Sequence, residues 1–396
     1  MDMSQENVGD AQRDAEEKEG KWESKELWQL PFCNPHCMQV VLNQKELRYE
    51  QQINPEFRRI LDPGAPQLEY QSQPKFKKTV LHWGQRKLLL SEIEFLTLID
   101  RKDLENATVV YAGAAPSSHT PFLSKLFPTV EFILVDPAKF TRELSRRRME
   151  DRGLKLETTQ YPRIKVIQGY FTNELATALA ARLEGRNIFF VSDIRRDAYS
   201  EVEIAKDMQY QSDWHKILGS KRSMLKFRLP WTQPGSTRYL AGDIYLPVWG
   251  PQTTTESRLI TDKDDPLKER DYDHNMYNDQ MFHFRCYTRP AVYNHDIQGV
   301  PGLDHCYDCR AEVHILQEYI NKFAPLHSVA TIANNITSEI PGSRSLQVQQ
   351  TGEEEEETDG AWSEDTPFTA RSGEGNPGFA RNESSATTHG GSWLLM

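Results

Sequence analysis

Between residues 107 and 193 the chain alternates short apolar runs with amphipathic stretches, a pattern that strongly restricts its fold. The pattern predicts strands over Thr108–Gly113, Glu131–Asp136, Ile164–Gly169 and Asn187–Asp193, with helices near 120–127, 139–152 and 172–184. Strands that alternate with helices form parallel sheets, because each helix returns the chain to the same edge. The sequence therefore predicts an α/β fold of the Rossmann-like kind, with a mixed, mostly parallel sheet and helices on both faces.

The flanking segments extend this prediction. Leucines and isoleucines at helical spacing predict a helix over Gly84–Ile99, and a longer helix follows the alternation at Glu201–Leu218. Further strands are predicted at Met224–Leu229, Tyr239–Trp249 and Ser257–Thr261, and further helices at Asp265–Cys286 and Arg310–Phe323.

The first strand ends in a loop of small residues. From Ala112 to Ser118 every residue is alanine, glycine, serine or proline, and such loops let a ligand approach the backbone. Gly113 is the only glycine there, so no dinucleotide fingerprint is present. Asp136 ends the second strand, where it is either an acceptor for ribose hydroxyls or a helix cap.

Charge divides the chain into segments. Of the net charge of −11, residues 351–396 carry −8 and residues 1–26 carry −5, which leaves about +2 for the remainder. We predict a disordered acidic N-terminus (1–26), an N-terminal extension (27–80), a Rossmann-like domain (81–340) and a disordered acidic tail (341–396). No apolar run is long enough to cross a membrane, and no secretory signal is apparent.

Five cysteines indicate reduced thiols in a reducing compartment. Cys33 and Cys37, together with Cys306 and Cys309, have spacings near those of a structural zinc site, which remains an alternative. We predict no metal.

Four charged residues interrupt otherwise apolar segments. These are Lys87, Asp193, Lys226 and Glu256. Charges in such positions are rarely buried without partners. Each has a plain alternative on its own: a lysine that extends to solvent, a carboxylate that caps a helix, or a surface glutamate.

Five sequence blocks carry a resemblance to a known family. They are Gly84–Leu90, Val109–Pro116, Val191–Arg195, Leu225–Pro230 and Glu256–Leu259. In this order they resemble the cap-specific mRNA (nucleoside-2′-O-)-methyltransferases, over roughly residues 68–290. Two branches are most similar: the poxvirus enzyme that is also the poly(A) polymerase stimulatory subunit, and the kinetoplastid spliced-leader cap enzymes.

The resemblance implies that Lys87, Asp193, Lys226 and Glu256 form a Lys-Asp-Lys-Glu catalytic tetrad. A ribose 2′-hydroxyl must lose its proton as it is methylated, and Lys226 would accept that proton as general base. Burial and the positive charge of Lys87 would favour a neutral Lys226 amine.

The same resemblance implies the cofactor S-adenosyl-L-methionine. Its predicted binding residues are Gln85, Tyr111, Gly113, His119, Asp136, Tyr170 and Phe171. Ser117 stands where the family has a glycine after the loop proline.

For RNA, the resemblance places two aromatic rings, Tyr70 and Trp231, around the cationic 7-methylguanine, with Asp273 facing its donors. Gln233 stands at the position of a second acid. A basic cluster is predicted to neutralise RNA phosphates. It comprises Arg195, Arg196, Lys221, Arg222 and Arg228.

We therefore predict a cap 2′-O-methyltransferase whose partner is 7-methylguanosine-capped RNA and not a membrane, with acidic tails available to RNA-processing proteins. Its expected location is the nucleus, or the cytoplasm or virion if the protein is viral. Two alternatives are a non-catalytic RNA-binding or poly(A) polymerase-stimulating subunit and a methyltransferase of internal RNA sites.

Overall fold

The computed structural model describes residues 54–69, 83–231, 233–251, 254–300, 303 and 305–340. Eleven strands are present in this part of the chain. In chain order they are β1 (Ala107–Ala112), β2 (Glu131–Asp136), β3 (Arg148–Asp151), β4 (Leu156–Thr158), β5 (Ile164–Gln168), β6 (Asn187–Ser192), β7 (Arg222–Phe227), β8 (Ser236–Leu240), β9 (Gly242–Tyr245), β10 (Ser257–Thr261) and β11 (Glu269–Asp273).

Nine of these strands form one sheet, in the order β3-β4-β5-β2-β1-β6-β7-β10-β9. The five central strands, β5, β2, β1, β6 and β7, are parallel to one another. Strands β4 and β10 run antiparallel to their neighbours on the two sides. This topology confirms the predicted mixed, mostly parallel sheet. Strand β1 is buried along its whole length, as expected for the centre of the core.

Eight α-helices accompany the sheet within the described ranges. They are α1 (Gly84–Thr97), α2 (Arg101–Leu104), α3 (Thr120–Leu126), α4 (Asn173–Arg182), α5 (Glu201–Leu218), α6 (His274–His283), α7 (Tyr307–Phe323) and α8 (Val329–Glu339). Short 3-10 and π-helical turns cover Arg142–Leu144 and Phe284–Thr288. Helices α1, α3, α7 and α8 pack in one group, and α4 packs against α5 in another.

Local sequence explains where helix α5 begins and ends. The Ser200 hydroxyl accepts a hydrogen bond from the backbone N–H of Glu203, which satisfies one of the first free amides. Gly219 ends the helix with a left-handed φ of 58°, which glycine adopts without steric cost. The predicted helix over Glu201–Leu218 is confirmed.

The helix predicted over 139–152 is wrong. This segment forms the 3-10 turn and then strand β3, an edge strand whose side chains are largely exposed. Only Phe140 and Leu144 are buried there, and two apolar residues four apart cover too little area to hold a helix against the sheet. Glu150 pairs instead with Lys165 of β5.

The helix predicted over Asp265–Cys286 is half wrong. Its first part is strand β11, which pairs with β8 in a separate two-stranded sheet, and only its second part is helical. Helix α8 lies in a region for which the sequence predicted no element. The termini predicted as disordered, 1–26 and 341–396, lie outside the described residues. Among the helices that the structure describes, none is both long and apolar enough to cross a bilayer.

Candidate active site

The four predicted tetrad residues come together from four separate elements. Lys87 lies on α1, Asp193 directly follows β6, Lys226 lies on β7, and Glu256 directly precedes β10. The Lys226 Nζ atom is 3.3 Å from Asp193 Oδ1 and 3.1 Å from Glu256 Oε2. The Lys87 Nζ atom is 3.4 Å from Glu256 Oε1. The structure thus brings residues that are far apart in sequence into one ion cluster.

A fifth charged residue, Arg258, belongs to this cluster. Its Nη2 atom donates to Asp193 Oδ1 at 2.6 Å, and its Nη1 atom donates to Glu256 Oε1 at 2.8 Å. Only 7% of its side chain is exposed. Arg258 lies opposite Lys226 in the register of β10 and β7, so strand pairing itself places the two side by side. Arg258 was not among the site residues predicted from the sequence.

Electrostatics holds both carboxyl groups of the cluster ionised. Burial alone would raise the pKa of Glu256, yet Lys226 and Lys87 outweigh burial and hold that pKa well below its usual range. Burial likewise opposes ionisation of Asp193, but Lys226 and Arg258 lower its pKa. Burial lowers the pKa of Lys87, because desolvation disfavours its ammonium.

Three cationic side chains face the two carboxylates of the cluster. Lys87 contacts Glu256, Arg258 contacts both carboxylates, and Lys226 lies between the two. Buried charges are tolerated where opposite charges lie beside them, so these ion pairs allow the cluster to lie within the fold.

A cavity of about 610 Å³ adjoins the cluster through Asp193. It lies at the carboxyl ends of the central parallel strands, where open α/β sheets bind ligands. Its walls come from the loops after β1, β2, β5 and β6 and from helix α5. Gly113 is required at the wall, because a Cβ atom there would lie 2.9 Å from the Ile194 backbone nitrogen and its φ is 77°.

Four of the predicted cofactor residues line this cavity: Gly113, Asp136, Tyr170 and Phe171. Asp136 Oδ2 accepts a hydrogen bond from the Ala115 N–H at 3.0 Å, and its Oδ1 accepts from the Ala138 N–H at 2.7 Å. The carboxylate therefore fixes the turn around it, and each oxygen retains a second lone pair for a ligand. The predicted role of ribose acceptor is compatible with this geometry, whereas the alternative of a helix cap is wrong, because the amides that Asp136 accepts belong to loops and to none of the described helices.

The other three, Gln85, Tyr111 and His119, do not line the cavity as the structure describes it. His119 is fully buried, with Nδ1 2.8 Å from Gln85 Oε1 and Nε2 2.9 Å from Glu92 Oε1. Gln85 also accepts from the N–H and hydroxyl of Ser118. These hydrogen bonds fix the loop after β1 to helix α1. Contact of Gln85, Tyr111 and His119 with a cofactor stays a prediction.

Ser117, which the resemblance aligns with a glycine of the family, adopts a strained backbone conformation. Its φ of 61° lies in the left-handed region, which a serine adopts less readily than glycine. The Ser117 Oγ atom lies 2.6 Å from Thr120 Oγ1, and this local hydrogen bond helps to hold the conformation.

Two aromatic residues that the sequence analysis missed complete the cavity wall. Tyr210 and Trp214 lie four residues apart on α5 with stacked rings, 5.7 Å between centroids. Trp214 also packs against Phe171 at 4.8 Å. Their i, i+4 spacing, which places both side chains on one face of a helix, was the available signal.

Comparison of the sequence with models of known protein families identifies the family of this chain. The family model described as "Poly A polymerase regulatory subunit" matches residues 60–335, well over half of the chain. The chain belongs to this family.

Two poxvirus proteins are among the curated relatives of this chain. A fowlpox virus protein (strain NVSL) named cap-specific mRNA (nucleoside-2′-O-)-methyltransferase is 29% identical over 226 residues, 53% of this chain and 68% of the relative. A myxoma virus protein (strain Lausanne) of the same name is 24% identical over 208 residues, 49% of this chain and 57% of the relative. The chain therefore spans between about half and two thirds of the relatives' length.

Among solved structures, the VP4 protein of bluetongue virus, described as a multifunctional RNA-capping production line, superposes with a TM-score of 0.41. Its sequence identity is 10%, and the match covers 71% of this chain and 43% of that chain.

Of the predicted cap residues, Tyr70 lies outside the described residues. Trp231 lies in the loop after Phe227, the last residue of the strand that carries Lys226, and 55% of it is exposed. Asp273 is exposed and caps α6, where its Oδ1 accepts from the Met276 N–H at 2.7 Å. The backbone oxygen of Gln233 lies 2.9 Å from His274 Nδ1. Cap binding by these residues stays a prediction.

The predicted basic cluster is only partly assembled. Arg222 begins β7 and Lys221 precedes it, at the end of the strand opposite Lys226, so their predicted placement beside the tetrad is wrong. Lys221 pairs instead with Asp103 at 3.0 Å. A strand advances about 3.3 Å per residue, which separates the two ends of β7 by well over 10 Å. They therefore cannot neutralise a phosphate at the tetrad.

The three remaining arginines of the predicted basic cluster differ in their hydrogen-bond and ion-pair partners. Arg228 donates to Glu201 at 2.6 Å and to the Ala198 backbone oxygen, which fixes the loop after β6. Arg196 pairs with Asp207 at 2.6 Å and lies over the Tyr210 ring. Arg195 lines the cavity, and neither of its buried Nη atoms has a hydrogen-bond partner among the described residues.

Two of the four cysteines of the zinc alternative lie within the described residues. Cys33 and Cys37 lie outside the described residues, and Cys306 and Cys309 are buried at the start of α7. In the described ranges no group of three or more histidine, cysteine or acidic side chains is arranged to hold a metal ion.

Proposed function

We propose that this protein transfers a methyl group from S-adenosyl-L-methionine to the 2′-hydroxyl of a cap-proximal nucleotide in 7-methylguanosine-capped RNA. The observation that carries the proposal is the position of the Lys226 amine between Asp193 and Glu256, beside a cavity that Asp193 also lines. The names of the poxvirus relatives supply the RNA cap as the substrate.

The cavity fits the proposed cofactor in size and chemistry. Its volume of about 610 Å³ lies within the range of about 300–1,000 Å³ usual for small-molecule sites. Asp136 offers a charged acceptor for ribose hydroxyls, and Phe171 and Trp214 offer apolar surface for a base. When bound, S-adenosyl-L-methionine supplies a methyl group already activated on a sulfonium.

The chain's own residues then have two tasks. Lys226 accepts the proton of the 2′-hydroxyl, which makes the oxygen a better nucleophile. Asp193 and Glu256 hold the amine from two sides, so that it meets the hydroxyl in a fixed orientation. Such alignment is worth several kcal/mol of activation free energy.

The test is methyl transfer by the full chain with S-adenosyl-L-methionine carrying a labelled methyl group. Three RNAs of one sequence are compared: 7-methylguanosine-capped, guanosine-capped and uncapped. We expect label only in capped RNA, within a nuclease-resistant 2′-O-methylated dinucleotide. Equal labelling of uncapped RNA would favour the internal-site alternative, and no labelling of any RNA would reject the enzymatic proposal.

The family description favours a second function on the same fold, stimulation of a poly(A) polymerase. This function needs RNA and polymerase contacts but not the tetrad. If both functions are present, the Lys226→Ala variant should lose methyl transfer and keep any stimulation of a partner polymerase. Loss of both in a folded variant would argue that they share one site.

A further inference from the structure

The connection between β2 and β4 carries an exposed group of positive charges away from the tetrad. We call it the basic edge and define it by Lys139, Arg142, Arg146, Arg148, Arg152 and Lys155. Residues 137–149 alone hold five basic residues and one acidic residue, in a chain with a net charge of −11. This is the region that the sequence analysis wrongly predicted as a helix.

None of these six side chains has an ion-pair or hydrogen-bond partner among the residues that the structure describes. Three nearby carboxylates are engaged by other bases: Glu150 by Lys165 and Arg182, Asp151 by Arg182, and Glu157 by Arg147. The one acidic residue within 137–149, Glu143, is exposed and leaves the segment with a net charge of +4. Unpaired like charges repel one another, so this surface is electrostatically suited to a polyanion.

Buried side chains and hydrogen bonds fix the segment that carries the basic edge to the rest of the fold. Phe140 and Leu144 are buried beneath it. The Arg147 guanidinium lies over the Phe140 ring at 5.3 Å and donates to Gln168 Oε1 at 3.0 Å. At its start, the Thr141 N–H donates to the Pro116 backbone oxygen, and Pro137 lines the cavity. The positive charges thus extend from the cavity rim to edge strand β3.

We propose that the basic edge binds the phosphate backbone of the RNA downstream of the methylated nucleotide. Four of its six residues are arginines, whose guanidinium groups form bidentate hydrogen bonds with phosphate. The proposal rests on the proposed function in that it identifies the polyanion as the methylated transcript.

The strand order gives the distance that an RNA must span between the tetrad and strand β3. Asp193 follows β6, and β3 lies five strand spacings away across β1, β2, β5 and β4. At about 4.8 Å per spacing the separation is roughly 24 Å. Stacked nucleotides advance about 3.4 Å each, so only RNA that continues roughly seven nucleotides beyond the target reaches Arg148 in β3, the far part of the basic edge.

The test compares two double variants of the full chain that each remove two exposed positive charges. Arg146→Gln/Arg148→Gln alters the basic edge. Lys102→Gln/Lys263→Gln is the matched control, since Lys102 precedes β1 and Lys263 follows the antiparallel strand β10, which places both at the amino ends of the central strands. Affinity for an uncapped 20-nucleotide single-stranded RNA and for a capped 4-nucleotide RNA is measured against salt.

For the 20-nucleotide RNA, removing one phosphate contact should lower the slope of log affinity against log salt by about 0.7. Removing two such contacts lowers the slope by about 1.4. If wild type and variant bind equally at 1 M salt, the variant should bind about 25-fold more weakly at 0.1 M salt. We expect this loss of affinity in the basic-edge variant, no such loss in the control, and unchanged affinity for the 4-nucleotide RNA in both.

Unchanged affinity and slope in the basic-edge variant, or an equal loss in the control, would overturn the proposal. If the basic edge instead holds the chain's own acidic segment 353–357, the variant would bind RNA as tightly as wild type or more tightly, and the tail would be cleaved faster by protease. Because binding is measured without methyl transfer, failure of the proposed enzymatic function would leave this result interpretable.

Discussion

Arg258 and Asp193 are 65 residues apart in sequence, yet the Arg258 Nη2 atom lies 2.6 Å from Asp193 Oδ1. The same guanidinium reaches Glu256 Oε1 through its other terminal nitrogen. Arg258 therefore links the two carboxylates that hold the Lys226 amine. A planar guanidinium with several donors suits this bridge, whereas an ammonium offers a single point of charge.

We expect Arg258→Lys to lower the turnover number by about 100-fold, because a displacement of about 1 Å in catalytic groups has effects of this size. The KM for S-adenosyl-L-methionine should change little, since Arg258 does not line the cavity. Steady-state methyl transfer checks both constants, with exposed Arg270→Lys as the matched control. A wild-type turnover number in Arg258→Lys would show that the bridge is unnecessary for alignment.

Lys226→Ala should abolish methyl transfer while cofactor affinity stays within about twofold, because Lys226 lies outside the cavity lining. Lys226→Arg should be equally inactive, since a guanidinium stays protonated and cannot accept the proton. Methyl transfer and titration with S-adenosylhomocysteine measure the two effects separately. Substantial activity in the arginine variant would remove Lys226 from the role of base.

The tetrad should also make stability depend on pH. The pKa of Glu256 in the folded protein lies well below its ordinary value of 4.5. As the pH falls below about 4.5, the unfolded chain takes up a proton that the folded chain does not, so the free energy of unfolding decreases. The stabilisation is fully present above that value and is lost progressively towards the folded-state pKa.

Urea unfolding of wild type and Glu256→Gln from pH 3 to pH 7 tests this expectation. The difference in stability between the two proteins should shrink as the pH falls through the acidic range. A difference that stays constant with pH would mean that the ionisation of Glu256 is not linked to folding.

Four members of the ion cluster could be predicted from the sequence because they interrupt apolar patterns within blocks that resemble a known family; their catalytic role stays a prediction. Arg258 was not predicted because it is a single charge in the short strand Ser257–Thr261, and its partner Asp193 comes from the loop after β6, 65 residues away. Such contacts between distant segments have no local signal. The periodicity of Gly84–Thr97 was sufficient, because this helix buries a broad apolar face that includes three consecutive leucines, Leu88–Leu90.

The errors in fold prediction have the same origin. Residues 148–151 form a strand only because β4 offers an edge for pairing, and β11 forms only because β8 lies beside it. Strand formation depends on a partner that can lie far away in sequence, whereas helical hydrogen bonds are local. The alternation of strands and helices therefore predicted the centre of the sheet and not its margins.

Asp136→Ala should weaken binding of S-adenosylhomocysteine by about 1.5–3 kcal/mol, the usual worth of hydrogen bonds to a charged group. Calorimetric titration gives the affinity. Thermal unfolding of the same samples is needed, because Asp136 also accepts the Ala115 and Ala138 amides. Unchanged affinity with lowered thermal stability would assign Asp136 to loop support alone.

Trp231 provides the test that separates cap-dependent methylation from general RNA methylation. If its exposed indole stacks on 7-methylguanine, Trp231→Ala should cost about 1–2 kcal/mol of affinity for a 7-methylguanosine cap analogue. The loss should be smaller for the guanosine analogue, because only the methylated base is cationic. Trp231→Phe, the matched variant, should keep part of the preference through its smaller ring.

Fluorescence titration of both cap analogues against wild type and the two Trp231 variants measures this preference directly. Turnover at saturating capped RNA should survive in both variants, since Trp231 follows the strand of Lys226 without belonging to its ion cluster. Two results would contradict cap stacking at this residue: a wild type that binds both analogues equally, or an alanine variant that keeps the full preference. Either would favour methylation at internal RNA sites, because a 2′-hydroxyl at the tetrad would then be presented without recognition of the cationic base.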